Sequence, residues 1–477
     1  ARLIETHVSW VILCETAAYK LKKPLNLGFL DYSTLNKREH ACREEIRLNQ
    51  RLAPDIYLDV LPVTGPLEQP ELNGQGPVLD WLVHMRAFAA DSTLDQVQAL
   101  LPEHMDAVAE RVAAFHQQLT PLSPDTPFDA AGQARHPVAD NFTQLSALLA
   151  GLPEASALIP KLEALRRWSA AEGDRLEHHF RQRHAAGWVR ECHGDLHLGN
   201  IAWHRDAPLI FDGIDFDPAL RWIDVINEIS FLIMDLHARG HGALAWRTLN
   251  RYLAQTGDYA GLPALPYYLA YRAMVRAKVA GIRAGQHTGL NSNKMRADAL
   301  SECTRYLDIA DAIRQPGGPA LILMHGVSGS GKSIMAAHLA EDLGAIHLRA
   351  DIERKRLHGL DGLANSRAKG VDLYTPVASA RTRNHLLALA DTLLQSGFIV
   401  IVDATFLAPG WREPFRQLAQ QRAAPLCIVS PQVDEAELYC RVRERSKRGD
   451  DPSEADVEVL RAQLASLAEN PSLLSPA

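Results

Sequence analysis

From residue 320 onward, short apolar runs alternate with amphipathic stretches. The runs at 320–325, 345–349, 398–402 and 425–429 read as strands, and 332–343, 380–396, 411–422 and the remaining stretch to the end read as helices. That alternation predicts a parallel sheet joined by right-handed crossovers. The chain before it follows a different pattern. Residues 1–90 mix strand-type runs at 8–14, 17–21 and 78–85 with one helix around 34–52, while 91–312 carry mostly helical periodicity. A small β-rich lobe (about 1–90) on a larger helical lobe (about 91–312) is expected. Arg314-Gln315-Pro316-Gly317-Gly318-Pro319 breaks the helical pattern, which puts a linker at 313–319 between a domain at 1–312 and a second at 320–477.

A length of 477 residues suits two or three cores of ordinary size. The composition, 47% apolar and 22% charged, is that of a globular chain, and no apolar run is long enough to cross a bilayer, so no membrane role is expected. Cys14, Cys42, Cys192, Cys303, Cys427 and Cys440 are scattered without a Cys-x-x-Cys pair, which predicts buried or reduced thiols in a cytoplasm and no structural zinc. A net charge of −7 and a pI near 6.3 give no general attraction for nucleic acid, which is not an expected partner. The chain opens at Ala1 inside a strand-like run, without Met or a signal-peptide pattern, so a few preceding residues are expected.

Two motifs bring chemistry into this frame. The first is Cys192-His193-Gly194-Asp195-Leu196-His197-Leu198-Gly199-Asn200, followed by Ile214-Asp215-Phe216. Phosphoryl transfer needs an aspartate to orient the acceptor hydroxyl and take its proton, an asparagine to hold Mg²⁺, and a second aspartate to bridge the phosphates through metal. Asp195, Asn200 and Asp215 have that order and spacing. A plain turn rich in His, Gly and Asp would leave Ile214-Asp215-Phe216 unexplained. At these residues the chain resembles the aminoglycoside phosphotransferase and choline kinase group, relatives of the protein kinases, over roughly its first two thirds. The resemblance implies an α+β bilobal kinase-like domain, a nucleotide lysine on a strand of the small lobe, and a helical glutamate that holds it. Strand alternation puts Lys20 and Lys22 on one face; Lys20 is preferred and Lys22 is second choice. Glu45 is preferred over Glu44. Asp224 corresponds to the aspartate that braces the catalytic loop from below. One departure is the lack of a Gly-x-Gly-x-x-Gly before Lys20, where only Glu5-Thr6-His7-Val8-Ser9 can cover the phosphates.

The second motif, Gly326-Val327-Ser328-Gly329-Ser330-Gly331-Lys332-Ser333, fits Gly-x-x-x-x-Gly-Lys-Ser between an apolar strand and a helix. Gly326, Ser328, Gly329, Ser330 and Gly331 would wrap phosphates with backbone N–H groups, Lys332 would reach the β- and γ-phosphates, and Ser333 would hold Mg²⁺. Asp403, closing the run Val400-Ile401-Val402, is a second metal carboxylate. Asp351 follows the second strand, where it is either an acceptor-binding carboxylate or a helix N-cap. Arg441, Arg445 and Arg448 share a helical spacing that looks like the lid of small P-loop kinases, with Arg445 placed for the transferred phosphoryl group. This third of the chain resembles P-loop kinases related to gluconate kinase, zeta toxin and the kinase part of polynucleotide kinase. The whole order resembles bacterial fusions of an aminoglycoside phosphotransferase-like domain with a P-loop ATP-binding domain. Thr6-His7-Val8-Ser9-Trp10, Gly28-Phe29-Leu30-Asp31 and Asp403-Ala404-Thr405-Phe406 carry that match.

The expected function is therefore a bifunctional phosphotransferase using ATP and Mg²⁺ on hydroxyl groups of small molecules. Arg272, Arg276 and Arg283 share one face of a helix at 267–283, and such a face would suit an anionic acceptor or simply be solvated. No acidic cluster suited to an aminoglycoside is evident in the helical lobe. Two other readings remain open: one domain serves only as a nucleotide-binding switch, or the P-loop domain acts on nucleotide sugars or nucleic-acid ends.

Overall fold

The computed structural model describes residues 1–6, 8–26, 30–286, 293–315, 317–448 and 451–469. His7, Gly28, Phe29 and Pro316, which figure in the motifs and linker above, lie outside the described residues. The chain divides into two compact units, Ala1–Ala238 with Tyr267–Ala310, and Arg239–Pro266 with Asp311–Ala477.

The first unit begins with β1 (Arg2–Glu5), β2 (Ser9–Leu13) and β3 (Ala17–Lys22), then α1 (Leu35–Asn49), β4 (Tyr57–Thr64), β5 (Glu71–Leu72) and β6 (Val78–Arg86). The strands form one antiparallel sheet in the order β1-β2-β3-β6-β4-β5. Thr34 caps α1 by accepting from the Lys37 amide at 3.3 Å. The buried positions of α1, Arg38, Ala41, Cys42, Glu45, Leu48 and Asn49, recur at helical spacing, and Cys42 packs with Ala18, Ile56, Tyr57, Val83 and Met85 of the sheet side. Burying each of the larger apolar side chains contributes about 1.5–3 kcal/mol. The same packing carries Glu45 inward beneath the sheet.

The helical part supplies α2 (Pro102–Gln118), α3 (Ala130–Ala150), α4 (Ile159–Arg175) and α5 (Glu177–Ala185). Four short strands follow, β7 (Val189–Glu191), β8 (Ile201–His204), β9 (Ala207–Ile210) and β10 (Trp222–Asp224), before α6 (Val225–Ala238). These strands pair as β7 with β10 and β8 with β9, a feature that the largely helical expectation for 91–312 did not contain. The 192–200 loop runs from β7 to β8 and the 211–217 loop from β9 to β10, so the two pairs flank both motif loops. α6 is buried along nearly its whole length.

After α6 the chain contributes α7 (Gly242–Thr256) to the second unit, then returns through α8 (Leu265–Gln286) and α9 (Asn293–Ile313). The rest of the second unit runs β11 (Ala320–Met324), α10 (Lys332–Leu343), β12 (Ile346–Arg349), α11 (Ala350–Arg356), α12 (Pro376–Gln395), β13 (Ile399–Asp403), α13 (Pro409–Gln421), β14 (Leu426–Val429), α14 (Glu435–Arg448) and α15 (Val457–Glu469). The sheet is parallel, in the order β12-β13-β11-β14. β11 and β13 are buried on both faces, which is why they read as unbroken aliphatic runs. Register pairs Met324 with Asp403 and Arg349 with Asp403, so the phosphate loop, Asp403 and the start of α11 gather at one sheet edge, where the strands end. The fold is the expected one, an α+β bilobal kinase-like unit and an α/β P-loop unit with a parallel sheet.

Candidate active sites

In the first unit the 193–200 loop is held from below by buried carboxylates. Glu228 on α6 has no exposed surface, and its Oε1 and Oε2 accept the His193 and Gly194 amides at 2.7 and 3.0 Å. One helical repeat further on, Asp235 accepts the Leu198 amide at 3.1 Å. Gly194 has φ +89°, and a side chain there would meet Leu220 O at 2.9 Å, so the turn requires glycine. The result presents the Asp195 side chain, 37% exposed, with His197 Nε2 3.5 Å from Oδ2. Desolvation pushes the Asp195 carboxyl up, but His197 outweighs it, with His193 and Arg272 adding, and the group is held well below the usual carboxylate range. A carboxylate held that low is a weak base; it can orient an acceptor hydroxyl and take its proton only late in transfer. Asn200 donates from Nδ2 to Asp195 Oδ2 at 3.0 Å, so its Oδ1 is the atom a cation would take.

A second cluster lies between β3, α1 and the 212–215 segment. Lys20 Nζ donates to Glu45 Oε1 at 2.9 Å and to Asp212 Oδ1 at 2.7 Å. Lys22 Nζ donates to Glu45 Oε2 at 2.7 Å and to Asp215 Oδ2. Tyr32 Oη lies 3.4 Å from both Lys22 Nζ and Asp215 Oδ2. Lys22 is 1% exposed, and its pKa is raised because the carboxylates outweigh the cost of burial. Burial likewise pushes Glu45 up, but Lys20 and then Lys22 bring it down to about 2. Asp215 goes the other way, raised by burial despite Lys22. Asp215 and Asn200 offer hard oxygen donors, and the ammonium already resting on Asp215 marks where a cation is favoured, so these residues fit Mg²⁺.

Three expectations change here. Both candidate lysines reach Glu45, but the one that joins it to Asp215 is Lys22, the second choice; Lys20 turns to Asp212, whose backbone sits at φ +62°. Asp224 does not brace the catalytic loop: its two oxygens take Arg183 at 2.7 and 2.8 Å, and Glu228 does the bracing. The arginines of α8 are not a solvated cationic face. Arg272 is 4% exposed and donates to Asn227 Oδ1 at 2.8 Å and Gly194 O at 3.0 Å, Arg276 lies over the Tyr306 ring, and Arg283 pairs with Glu302. Arg272 and Arg276 are spent on contacts with α6 and α9, while Arg283, nearer the end of the helix, keeps 40% of its side chain exposed beside Glu302.

The second site surrounds the 326–333 loop, on a cavity of about 1070 Å³ lined by Gly329, Lys332, Asp351, Asp403, Arg441 and Arg445 among others. Gly326, Gly329 and Gly331 have φ of +136°, +83° and +85°, the backbone that turns successive N–H groups inward. Lys332 Nζ donates to Val327 O at 2.7 Å, and Ser330 Oγ donates to the same carbonyl at 2.9 Å. Burial lowers the Lys332 pKa, with Asp403 and Asp351 opposing, so a phosphate would replace a weak carbonyl partner of a poorly solvated ammonium. Burial also raises Asp403, but His347, whose Nε2 is 3.3 Å away, together with Ser333 and Lys332, holds it at about 2. A permanently ionised carboxylate bonded to a hydroxyl is a donor set suited to Mg²⁺. Asp351 is not an N-cap: Arg349 occupies that position, and Asp351, in the first turn of α11, accepts from Arg354 at 2.8 Å. Arg445 donates to Ala455 O at 2.7 Å within reach of Lys332, which its charge disfavours.

Glu228, Asp235, Asp212, His347 and Gln463, whose Oε1 accepts the Ser328 amide at 2.8 Å, were not anticipated. For Glu228 and Asp235 a signal existed, since two carboxylates seven residues apart inside an apolar helix must have buried partners.

Residues 321–470 match the family described as AAA domain. Among solved structures, an ethanolamine kinase of Plasmodium vivax is similar at 9% identity and a TM-score of 0.39, covering 65% of this chain and 83% of that one. A gluconokinase from Sinorhizobium meliloti is similar at 23% identity and a TM-score of 0.22, covering 33% of this chain and 98% of that one. The uncharacterized protein Rv2004c of Mycobacterium tuberculosis is 31% identical over 424 residues, 87% of this chain and 80% of its own length. The chain thus belongs to the family of that mycobacterial protein, and its residues 321–470 carry the match to the AAA domain.

Proposed function

We propose that the chain is a bifunctional phosphotransferase that uses ATP and Mg²⁺ to phosphorylate hydroxyl groups of small molecules, one reaction in each unit. The observation that carries this reading is the Glu45–Lys22–Asp215 bridge, which links a small-lobe lysine to a loop aspartate across almost 200 residues of chain. No packing need calls for two lysines and three carboxylates at one point, whereas a triphosphate with its cation calls for that density of charge. In the first unit, Lys20 and Lys22 would hold phosphate oxygens, Asp195 would orient the acceptor hydroxyl, and Arg272 and Glu228 would keep the loop in place. In the second, the 326–333 amides and Lys332 would hold the β- and γ-phosphates, Asp351 would receive the acceptor hydroxyl, and Arg445 would offset charge on the transferred group. Bound Mg²⁺ would supply charge neutralisation at the phosphates, held by Asn200 and Asp215 in one site and by Ser333 with Asp403 in the other.

The test is transfer of γ-phosphate label from ATP into a small-metabolite extract by the intact chain, Asp195→Asn and Lys332→Ala. The expected result is two classes of labelled product, each lost in one variant and kept in the other. Label reaching only water, or one variant leaving every product unchanged, would favour a nucleotide-binding switch in place of the second kinase.

A further inference from the structure

The family match begins at residue 321, yet the compact P-loop unit also contains Arg239–Pro266. α7 in that segment meets the sheet at β12, an edge strand paired on one side only, with β13. An edge strand leaves a row of backbone donors and acceptors that must find partners when covered. Asn250 supplies them as a neighbouring strand would: Nδ2 donates to Ala345 O at 2.9 Å and Oδ1 accepts the His347 amide at 2.8 Å. Trp246, one turn earlier, lies against Gly344, where a side chain would come within 2.8 Å of its indole nitrogen, and Arg247 pairs with Glu341 at 2.8 Å. The clamp therefore closes on the residues that lead into β12. His347, the residue whose amide it takes, is 8% exposed and extends Nε2 to Asp403 Oδ2 at 3.3 Å.

We propose that Asn250 is a positioning residue of the P-loop site: by pinning β12 at His347 it fixes the Asp403 carboxylate beside Ser333 for the Mg²⁺ of a bound nucleotide. The inference rests on the reading of that site as one that binds Mg²⁺ with ATP. An imidazole that steadies a metal carboxylate must itself be steadied, and here the support comes from a helix outside the P-loop sequence match.

The test uses the full chain with Asp215→Asn, which removes a metal ligand of the first site, and follows binding of N-methylanthraniloyl-ATP by anisotropy, with Mg²⁺ and with EDTA. Asn250→Leu and His347→Ala are expected to weaken binding in Mg²⁺ about tenfold while leaving binding in EDTA within about twofold. His347→Gln, which keeps a donor towards Asp403, recovers most of the loss, and the double variant Asn250→Leu/His347→Ala loses no more than either alone. Should Asn250→Leu not fold, Asn250→Ala, which removes both hydrogen bonds without adding bulk against β12, serves in its place with the same expected losses. Equal weakening with and without Mg²⁺ would mean that α7 only stabilises the unit, and unchanged binding would mean that it does not support the site; either overturns the proposal. If the chain with Asn250 intact shows no Mg²⁺-dependent binding that Lys332→Ala abolishes, the reading of the P-loop site itself fails, and the proposal with it.

Discussion

Glu45 accepts Lys22 on one carboxylate oxygen at 2.7 Å while its other oxygen accepts Lys20 at 2.9 Å. One buried anion thus holds two cations, each of which also reaches a carboxylate of the 212–215 segment. Glu45→Gln preserves the volume and removes the charge. Breaking a buried ion pair from one side typically costs about 3–5 kcal/mol, and with Asp212 and Asp215 still present the lower end, about 3 kcal/mol, is expected. Lys22 would then rest more heavily on Asp215 and compete with the cation there. With Lys332→Ala silencing the other site, calorimetric titration should find nucleotide binding in Mg²⁺ weakened about tenfold or more. A variant that melts and binds like the parent would remove Glu45 from the site.

The same pair fixes a pH dependence. The folded Glu45 pKa, about 2, lies below its ordinary 4.5, so its contribution is fully present above pH 4.5 and is lost as the pH falls towards 2. Its size is on the order of 3 kcal/mol, from about 1.4 kcal/mol per unit of depression. Asp215 runs the other way: burial raises it above 3.8, so its ionisation opposes folding above that pH and cancels part of the gain. The melting difference between the parent and Glu45→Gln should be largest near neutrality and shrink between pH 4.5 and 3. A difference that stays constant down to pH 3 would mean that the Glu45 pKa does not change on folding, and one that grows as the pH falls would mean that its carboxyl is neutral in the folded chain.

These residues also mark how far the sequence could be read. Period-two alternation puts Lys20 and Lys22 on one face, and both do face Glu45; which of them meets Asp215 depends on a loop almost 200 residues away, which no local pattern encodes. The 193–200 and 326–333 loops are local constructions, so their residues stood out by spacing alone. The strands β11 and β13 were legible because both of their faces are buried, whereas β7 to β10, three or four residues each, are too short to carry a period. The arginines of α8 looked solvated because periodicity reports a shared face and not what covers it. Nothing in 239–266 indicates that this segment packs with the P-loop unit, since α7 shows only an ordinary amphipathic pattern.

Glu228 offers a test of loop geometry apart from chemistry. Its two oxygens serve the His193 and Gly194 amides, and Glu228→Gln leaves one acceptor for two buried donors. An unsatisfied buried N–H costs about 1–3 kcal/mol, part of which the loop would relieve by shifting Asp195. Turnover at the first site should fall about tenfold to a hundredfold with little change in the KM for ATP, since the loop positions the acceptor rather than the nucleotide. A rise in KM with unchanged turnover would assign Glu228 to nucleotide binding.

Gly329 connects the phosphate loop to the lid. At φ +83° it adopts a backbone that costs other L-residues about 1–2 kcal/mol, and a Cβ would lie 2.9 Å from Val442 Cγ2 and 3.1 Å from Leu438 O, both on α14. The valine methyl can yield, but the carbonyl belongs to a helical backbone and can move only with α14, which also carries Arg441 and Arg445 into the cavity. Gly329→Ala should therefore weaken nucleotide binding at the P-loop site about tenfold or more, through both loop strain and lid displacement, while first-site products are unaffected. Gly410→Ala, at an exposed helical position with open space around it, is the matched control and should bind as the parent does. Equal affinity in both variants would mean that α14 is free to move away from the loop, and the role of Arg445 at the phosphoryl group would lose its structural support.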